Sequence, residues 1–168
     1  METIERSLVL FKPDALERGL VGEILQRFER VGMKVIGMKM IQPTKEDASK
    51  HYKQDVAERH GEHVRNLMIN MLTTSPIIAV VLEGIETVEI VRKMIGSTEP
   101  KSSAPGTIRG DYAHVSFKHA KASESGDLNN LVHGSATLEE ANEEIGIWFT
   151  PEELLQHDPV YTKHTLTI

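Results

Sequence analysis

Short apolar runs along the chain alternate with longer segments in which apolar residues recur every three or four positions, which predicts strands separated by amphipathic helices. Ser7-Leu8-Val9-Leu10-Phe11 is nearly all apolar and is halted by Lys12-Pro13-Asp14, so it reads as a buried strand that delivers Lys12 to its end. From Val21 the positions Ile24, Leu25 and Phe28 share one helical face, and Gly32 is placed to end that helix. Ile36, Met38 and Met40 alternate with Val35, Gly37, Lys39 and Ile41 in a second strand that stops before Pro43. Thr44 can cap a helix over 45–52, with Asp47 as its capping-box partner. Val64, Leu67, Met68, Met71 and Leu72 mark another helix before the continuous apolar run from Pro76 to Leu82, which reads as a central strand. Val88, Val91, Met94 and Ile95 give the next helix, residues 97–111 a structured loop, and Ala113 to Phe117 a fourth strand. Residues 118–130 are polar and without period. Thr137-Leu138-Glu139-Glu140 opens a helix whose core face is Ala141, Ile145 and Trp148, Thr150-Pro151 starts another, and no helical pattern follows Gln156.

The element order β-α-β-α-α-β-α-β-α predicts an α/β (α+β) fold, a ferredoxin-like four-stranded antiparallel sheet with helices packed on it. The 168 residues suit one domain over 1–156, with 118–128 as an inserted loop and 157–168 as a C-terminal extension. The chain has no cysteine, which excludes thiol catalysis, thiolate zinc sites and iron-sulfur clusters. Its net charge of −6 supplies no global field toward nucleic acid or anionic membrane, so a polyanion must be held by a local cluster of cations. The longest apolar run falls far short of the roughly 20 residues that span a bilayer. Met1-Glu2-Thr3-Ile4-Glu5-Arg6 resembles neither a signal peptide nor a transit peptide. A cytoplasmic protein without a membrane partner is expected.

Among the eight histidines, His133 has the most unusual setting, Asn129-Asn130-Leu131-Val132-His133-Gly134-Ser135 before a capped helix, where small neighbours leave its ring approachable. The plainer reading is a turn histidine beside a turn glycine. His60-x-x-His63 has the spacing of a metal pair, but no third ligand accompanies it at fixed spacing. His51, His114, His119, His157 and His164 read as surface or packing residues. Glycine-rich phosphate loops are absent, so side chains must hold any phosphate, and Lys12, Arg92 and Arg109 are the candidates.

Together, Lys12-Pro13-Asp14-Ala15, Gly106-Thr107-Ile108-Arg109-Gly110-Asp111 and Asn130-x-x-His133-Gly134-Ser135-Ala136 resemble the signature segments of nucleoside diphosphate kinases. Glu83-Gly84, Arg92 and Glu143-Glu144-Ile145-Gly146-Ile147-Trp148-Phe149 extend the resemblance from about Ser7 to Leu155. It implies a ping-pong transfer of the γ-phosphoryl group from a nucleoside triphosphate to a nucleoside diphosphate through a phosphohistidine on His133. By the same resemblance Glu144 orients the ring, and Lys12, Tyr52, Arg92, Thr98, Arg109 and Asn130 meet the nucleotide. Ser135 supports the histidine, Mg²⁺ is held mainly through nucleotide phosphates, and the chain forms a homo-oligomer, a tetramer or a hexamer.

Two departures from the family pattern stand out. No aromatic residue follows Tyr52 where the base stacks, leaving His60, His63 or Val64 for that role, and 118–128 is an insertion expected to lie away from the chemistry. A non-catalytic nucleotide-binding or regulatory module of the same fold is the alternative, which intact Lys12, Arg109 and His133 oppose. Nucleic-acid binding is a third reading, and the acidic balance makes it a poor default.

Overall fold

The computed structural model describes residues 4–165. Four strands, β1 (Ile4–Phe11), β2 (Lys34–Ile41), β3 (Ile77–Ile85) and β4 (Val132–Gly134), form one antiparallel sheet in the order β2-β3-β1-β4, the expected ferredoxin-like arrangement. β1 and β3 are interior strands of this sheet, and both are covered on both faces, which is why their sequences are almost unbroken apolar runs. Side chains alternate across a strand. Leu8 and Leu10 therefore join Ala79 and Val81 beneath helices α3 (Lys45–His51), α5 (Glu62–Thr73) and α9 (Leu138–Trp148), while Val9 and Phe11 join Val80 and Leu82 on the other face. That second face is closed by α1 (Pro13–Glu17), α2 (Val21–Arg30), α6 (Thr87–Ile95) and α7 (Ile108–Tyr112). α4 (Gln54–His60) lies against α5.

The fourth strand is not where the alternation at 113–117 put it. Residues 113–116 join no sheet, Phe117 opens helix α8 (Phe117–Ala122), and the place beside β1 is taken by the three residues of β4. Ser116 caps α8 by accepting the His119 N–H, so part of the inserted segment is helical rather than an irregular excursion. Its far end returns to the body, since a Cβ on Gly126 would meet Leu67 Cδ1 of α5 at 3.2 Å. Among the described residues after Thr150 the chain makes a 3-10 turn, Pro151–Glu153, and a short helix, α10 (Thr162–Thr165), in the extension that showed no helical period. Among the described residues no helix is long and apolar enough to cross a membrane.

Candidate active site

Where β1 ends, Lys12 emerges beside the segment that leads into β4, because Leu10 pairs with His133 and Phe11 with Val132. Gly134 lets β4 pass close to α6, since a Cβ there would stand 2.7 Å from Ile95 Cδ1 and 3.0 Å from Val91 Cγ1. That approach brings Arg92 into the same opening, with Nη1 3.4 Å from the Gly134 carbonyl. From the other face, α9 supplies Glu144, whose carboxylate oxygens lie 2.9 and 3.1 Å from His133 Nε2. Ser135 Oγ donates to the same carboxylate at 2.5 Å.

An ionised carboxylate only accepts hydrogen bonds, so this pairing puts the ring proton of neutral His133 on Nε2 and leaves the lone pair on Nδ1. Burial by itself would push the Glu144 carboxyl up. The adjacent His133 ring, with help from His51 and the Ser135 hydroxyl, outweighs that and holds the carboxyl at about 2. The His133 side chain keeps 20% of its surface exposed, enough for a reactant to reach it.

Beneath this pair lies His51, assigned from sequence only to the surface or to packing. Its side chain is fully buried, its ring centroid is 4.5 Å from that of His133 in an edge-on arrangement, and its Nδ1 accepts the Trp148 indole N–H at 3.3 Å. Burial, then the neighbouring His133, lowers the His51 pKa to about 3, so the ring is neutral near pH 7. A signal for it was present in the sequence: Ala48, His51 and Tyr52 fall on one face of the helix capped by Thr44, and all three are buried. The Tyr52 hydroxyl is buried without a hydrogen-bond partner among the described residues, and burial raises its pKa.

The opposite wall is cationic. Lys12, 6% exposed, donates from Nζ to Asn130 Oδ1 at 2.6 Å, and Asn130 Nδ2 donates to the Thr98 carbonyl at 2.8 Å. Burial, then the charge of Arg109, lowers the Lys12 pKa to about 8. Arg109 is committed further than its expected role suggested. Its guanidinium donates to the carbonyls of Asn130 at 3.1 Å, Val132 at 2.7 Å, Gly96 at 3.1 Å and Ser97 at 3.0 Å. Four of the five guanidinium N–H groups are thus used in clamping backbone. Burial, then Arg92, lowers its pKa to about 10, still charged at neutral pH.

These walls enclose a cleft of about 450 Å³ lined by Lys12, Tyr52, Arg92, Thr98, Arg109, Asn130, His133 and Glu144. Ser135 sits behind Glu144 and is fully buried. Of the three residues considered for stacking, His60 lines the cleft, near Val56 and Met68, whereas His63 and Val64 are not among its lining residues. Gly61, at φ +91°, ends α4 and precedes α5, so His60 and His63 do not share one helix as a metal pair would. Among the described residues, the group of three potential metal ligands is His51, His133 and Glu144, with one ligand atom from each within 4.8 Å of the others. It offers one carboxylate, far from the six oxygens that Mg²⁺ takes up, so the protein builds no Mg²⁺ cage there. One contributor went unassigned from sequence: Asp14, in the quoted Lys12-Pro13-Asp14 segment, accepts the Leu131 N–H at 3.0 Å from within the fold.

Comparison with known proteins places the chain in a family. A family model described as nucleoside diphosphate kinase matches residues 5–154. The nucleoside diphosphate kinase of Borreliella burgdorferi is 43% identical over 156 residues, covering 92% of each chain. A solved transition-state mimic of the Borrelia burgdorferi nucleoside-diphosphate kinase with bound vanadate and ADP superposes with a TM-score of 0.94 at 39% identity over 98% of each chain. A halophilic nucleoside diphosphate kinase from Halobacterium salinarum in complex with CDP gives 0.81 at 34% identity, over 96% of this chain and 97% of that one.

Proposed function

This chain belongs to the nucleoside diphosphate kinase family and transfers the γ-phosphoryl group of a nucleoside triphosphate to a nucleoside diphosphate; from that premise we propose that His133 is the group that carries the phosphoryl between them. The observation that supports the assignment best is the pairing of His133 Nε2 with Glu144 at the floor of a cationic cleft. Nδ1 attacks the γ-phosphorus, an Nδ1–P bond forms, the bond from phosphorus to the β,γ-bridging oxygen breaks, and the electron pair leaves with the diphosphate. Glu144 offsets the positive charge that grows on the ring, and Ser135 holds Glu144 in place. The second nucleotide then takes the phosphoryl group by the reverse steps at the same site.

Lys12 and Arg92 supply charge to the phosphates, which in a dispersed transition state is most of what a protein can contribute. Arg109 acts mainly by holding Asn130 and its neighbours, with its own charge as a second contribution. Tyr52 offers an unpartnered hydroxyl, Thr98 and Asn130 meet phosphate or sugar, and His60 is the stacking candidate at the base end. Mg²⁺ enters with the nucleotide as part of the substrate and is held by its phosphates. We assign the activity to one domain over residues 1–156, in a cytoplasmic homo-oligomer, with 157–168 as an extension.

Incubation with Mg-ATP alone should leave an acid-labile, base-stable phosphate on the protein, and His133→Gln should abolish it. Initial rates at several fixed donor concentrations should give parallel double-reciprocal lines. Exchange activity retained in His133→Gln, or intersecting lines, would overturn the assignment.

A further inference from the structure

Between Asn130 and His133 the backbone adopts a geometry that its central residue resists. Leu131 has φ +70°, and the Val132 N–H donates to the Asn130 carbonyl at 2.8 Å. A positive φ closed by a bond spanning three residues is the rare, strained hand of the γ-turn. Leucine carries the full steric penalty of that region, so its surroundings must impose the conformation.

Every peptide group of the turn is tied down. The Leu131 N–H donates to Asp14 Oδ2 at 3.0 Å, and the Leu131 carbonyl accepts the Lys12 N–H at 2.8 Å. Arg109 holds the carbonyls on either side, those of Asn130 and Val132. The Leu131 side chain is wholly buried in the cluster that contains Phe11 and Ile108. Among these ties, Asp14 alone has no place in the lining of the cleft. It is a buried carboxyl, its Oδ1 has no hydrogen-bond partner among the described residues, and burial raises its pKa. The carboxyl also lies in the field of Lys12, but its hydrogen bond goes to the Leu131 N–H, and replacing it by the neutral amide of Asn separates the charge from the bond.

We infer that Asp14 is a positioning residue for phosphoryl transfer: by holding the Leu131 N–H it locks the strained turn that sets Asn130 against Lys12 and His133 against Glu144. The inference rests on the reading of His133 as the nucleophile. Without Asp14 the turn relaxes toward negative φ, which carries Asn130 and His133 out of their relative placement.

The test measures single-turnover phosphorylation by Mg-ATP, and separately ADP affinity, for Asp14→Ala and Asp14→Asn in the parent, Leu131→Ala and Leu131→Gly backgrounds. The two Leu131 replacements empty nearly the same buried volume, but only glycine accepts φ +70° without strain. Asp14→Ala should slow phosphorylation at least about thirtyfold in the parent and in Leu131→Ala, a loss typical of a misplaced reacting group. In Leu131→Gly the same change should cost less than about threefold, because nothing strained remains to be held. Asp14→Asn should stay within about fivefold of its parent, since the amide oxygen still accepts the Leu131 N–H.

Equal losses from Asp14→Ala in the two backgrounds, or an Asp14→Asn as impaired as Asp14→Ala, would overturn the inference. Should Asp14→Ala fail to fold in the parent, the Leu131→Gly background decides: recovery of the fold and of phosphorylation by Asp14→Ala there supports the inference, and failure there too overturns it. If the parent itself formed no phosphohistidine, the nucleophile assignment would fail. The ADP affinities of the same variants, through Asn130 and Lys12, would then still test the turn.

Discussion

Lys12 is a buried amine that titrates near the pH of ordinary assays, and this makes its charge measurable by two routes of opposite sign. Its pKa is lowered from 10.5 to about 8 by burial and then by Arg109. Above pH 8 the folded protein sheds a proton that the unfolded chain keeps to about 10.5. Unfolding therefore takes up a proton in that window, and the contribution of Lys12 to stability rises with pH across it. Nucleotide phosphates favour the charged amine, so ADP affinity should fall as pH rises through about 8, by at most about tenfold per pH unit for a single proton. Titration calorimetry from pH 7 to 9.5 would check this, and Lys12→Gln should bind ADP more weakly with no such step. A step that survived in Lys12→Gln would assign the titration to another group.

At the level of the element, α7 and α9 each contain a glycine and should respond oppositely to the same change. A Cβ on Gly110 would stand 2.0 Å from the Ala104 carbonyl oxygen, a backbone atom with no room to yield, whereas a Cβ on Gly146 meets nothing within 4 Å. Gly110→Ala should cost about 3 kcal/mol and weaken ADP binding by moving Arg109, while Gly146→Ala should stabilise by about 0.5–1 kcal/mol through helix propensity. Denaturant melts of the two variants would settle the signs. The elements with a wide buried face were legible in the sequence, as β1 and β3 show, because a continuous apolar run needs cover on both sides. α1, α4, α7 and α8 have 5, 7, 5 and 6 residues, at most two turns, too few to display a period. β4 was invisible for the same reason: three residues carry no alternation, while Ala113, Val115 and Phe117 imitate one without pairing. Most of the cleft was legible because its residues stand in motifs that resemble one family. Asp14 and His51 were missed because their work is done through other residues, from positions where a sequence shows only a turn acid and a helix histidine.

Across the whole molecule, the end of the chain is used to finish the sheet. The Leu155 N–H donates to the Ile36 carbonyl of β2 at 2.7 Å, Gln156 Nε2 donates to Glu83 at 3.0 Å, and Lys39 pairs with Glu153 at 2.7 Å. Further on, a Cβ added at Gly32 would collide with Thr165, so α10 folds back near the turn between α2 and β2. The extension is therefore partly seated on the body of the same chain; Val160 stays 89% exposed, and Leu166 and Ile168 lie outside the described residues. Ending the chain at Gln156 should keep the Leu155 bond, lower the melting temperature by a few degrees, roughly 1 kcal/mol or less, and leave the order of nucleotide preferences unchanged. Scanning calorimetry and competition assays would measure both, and a changed preference order would place the extension in the site. The cleft itself draws on distant parts of the chain: the Lys12–Asn130 bond joins residues 118 positions apart, and the Trp148–His51 bond joins residues 97 apart. Contacts so remote in sequence close late, after the entropy of long loops has been overcome. A nascent chain should accordingly take no phosphate from ATP until α9 has left the exit tunnel, and labelling of ribosome-bound chains stalled before and after that point would check it.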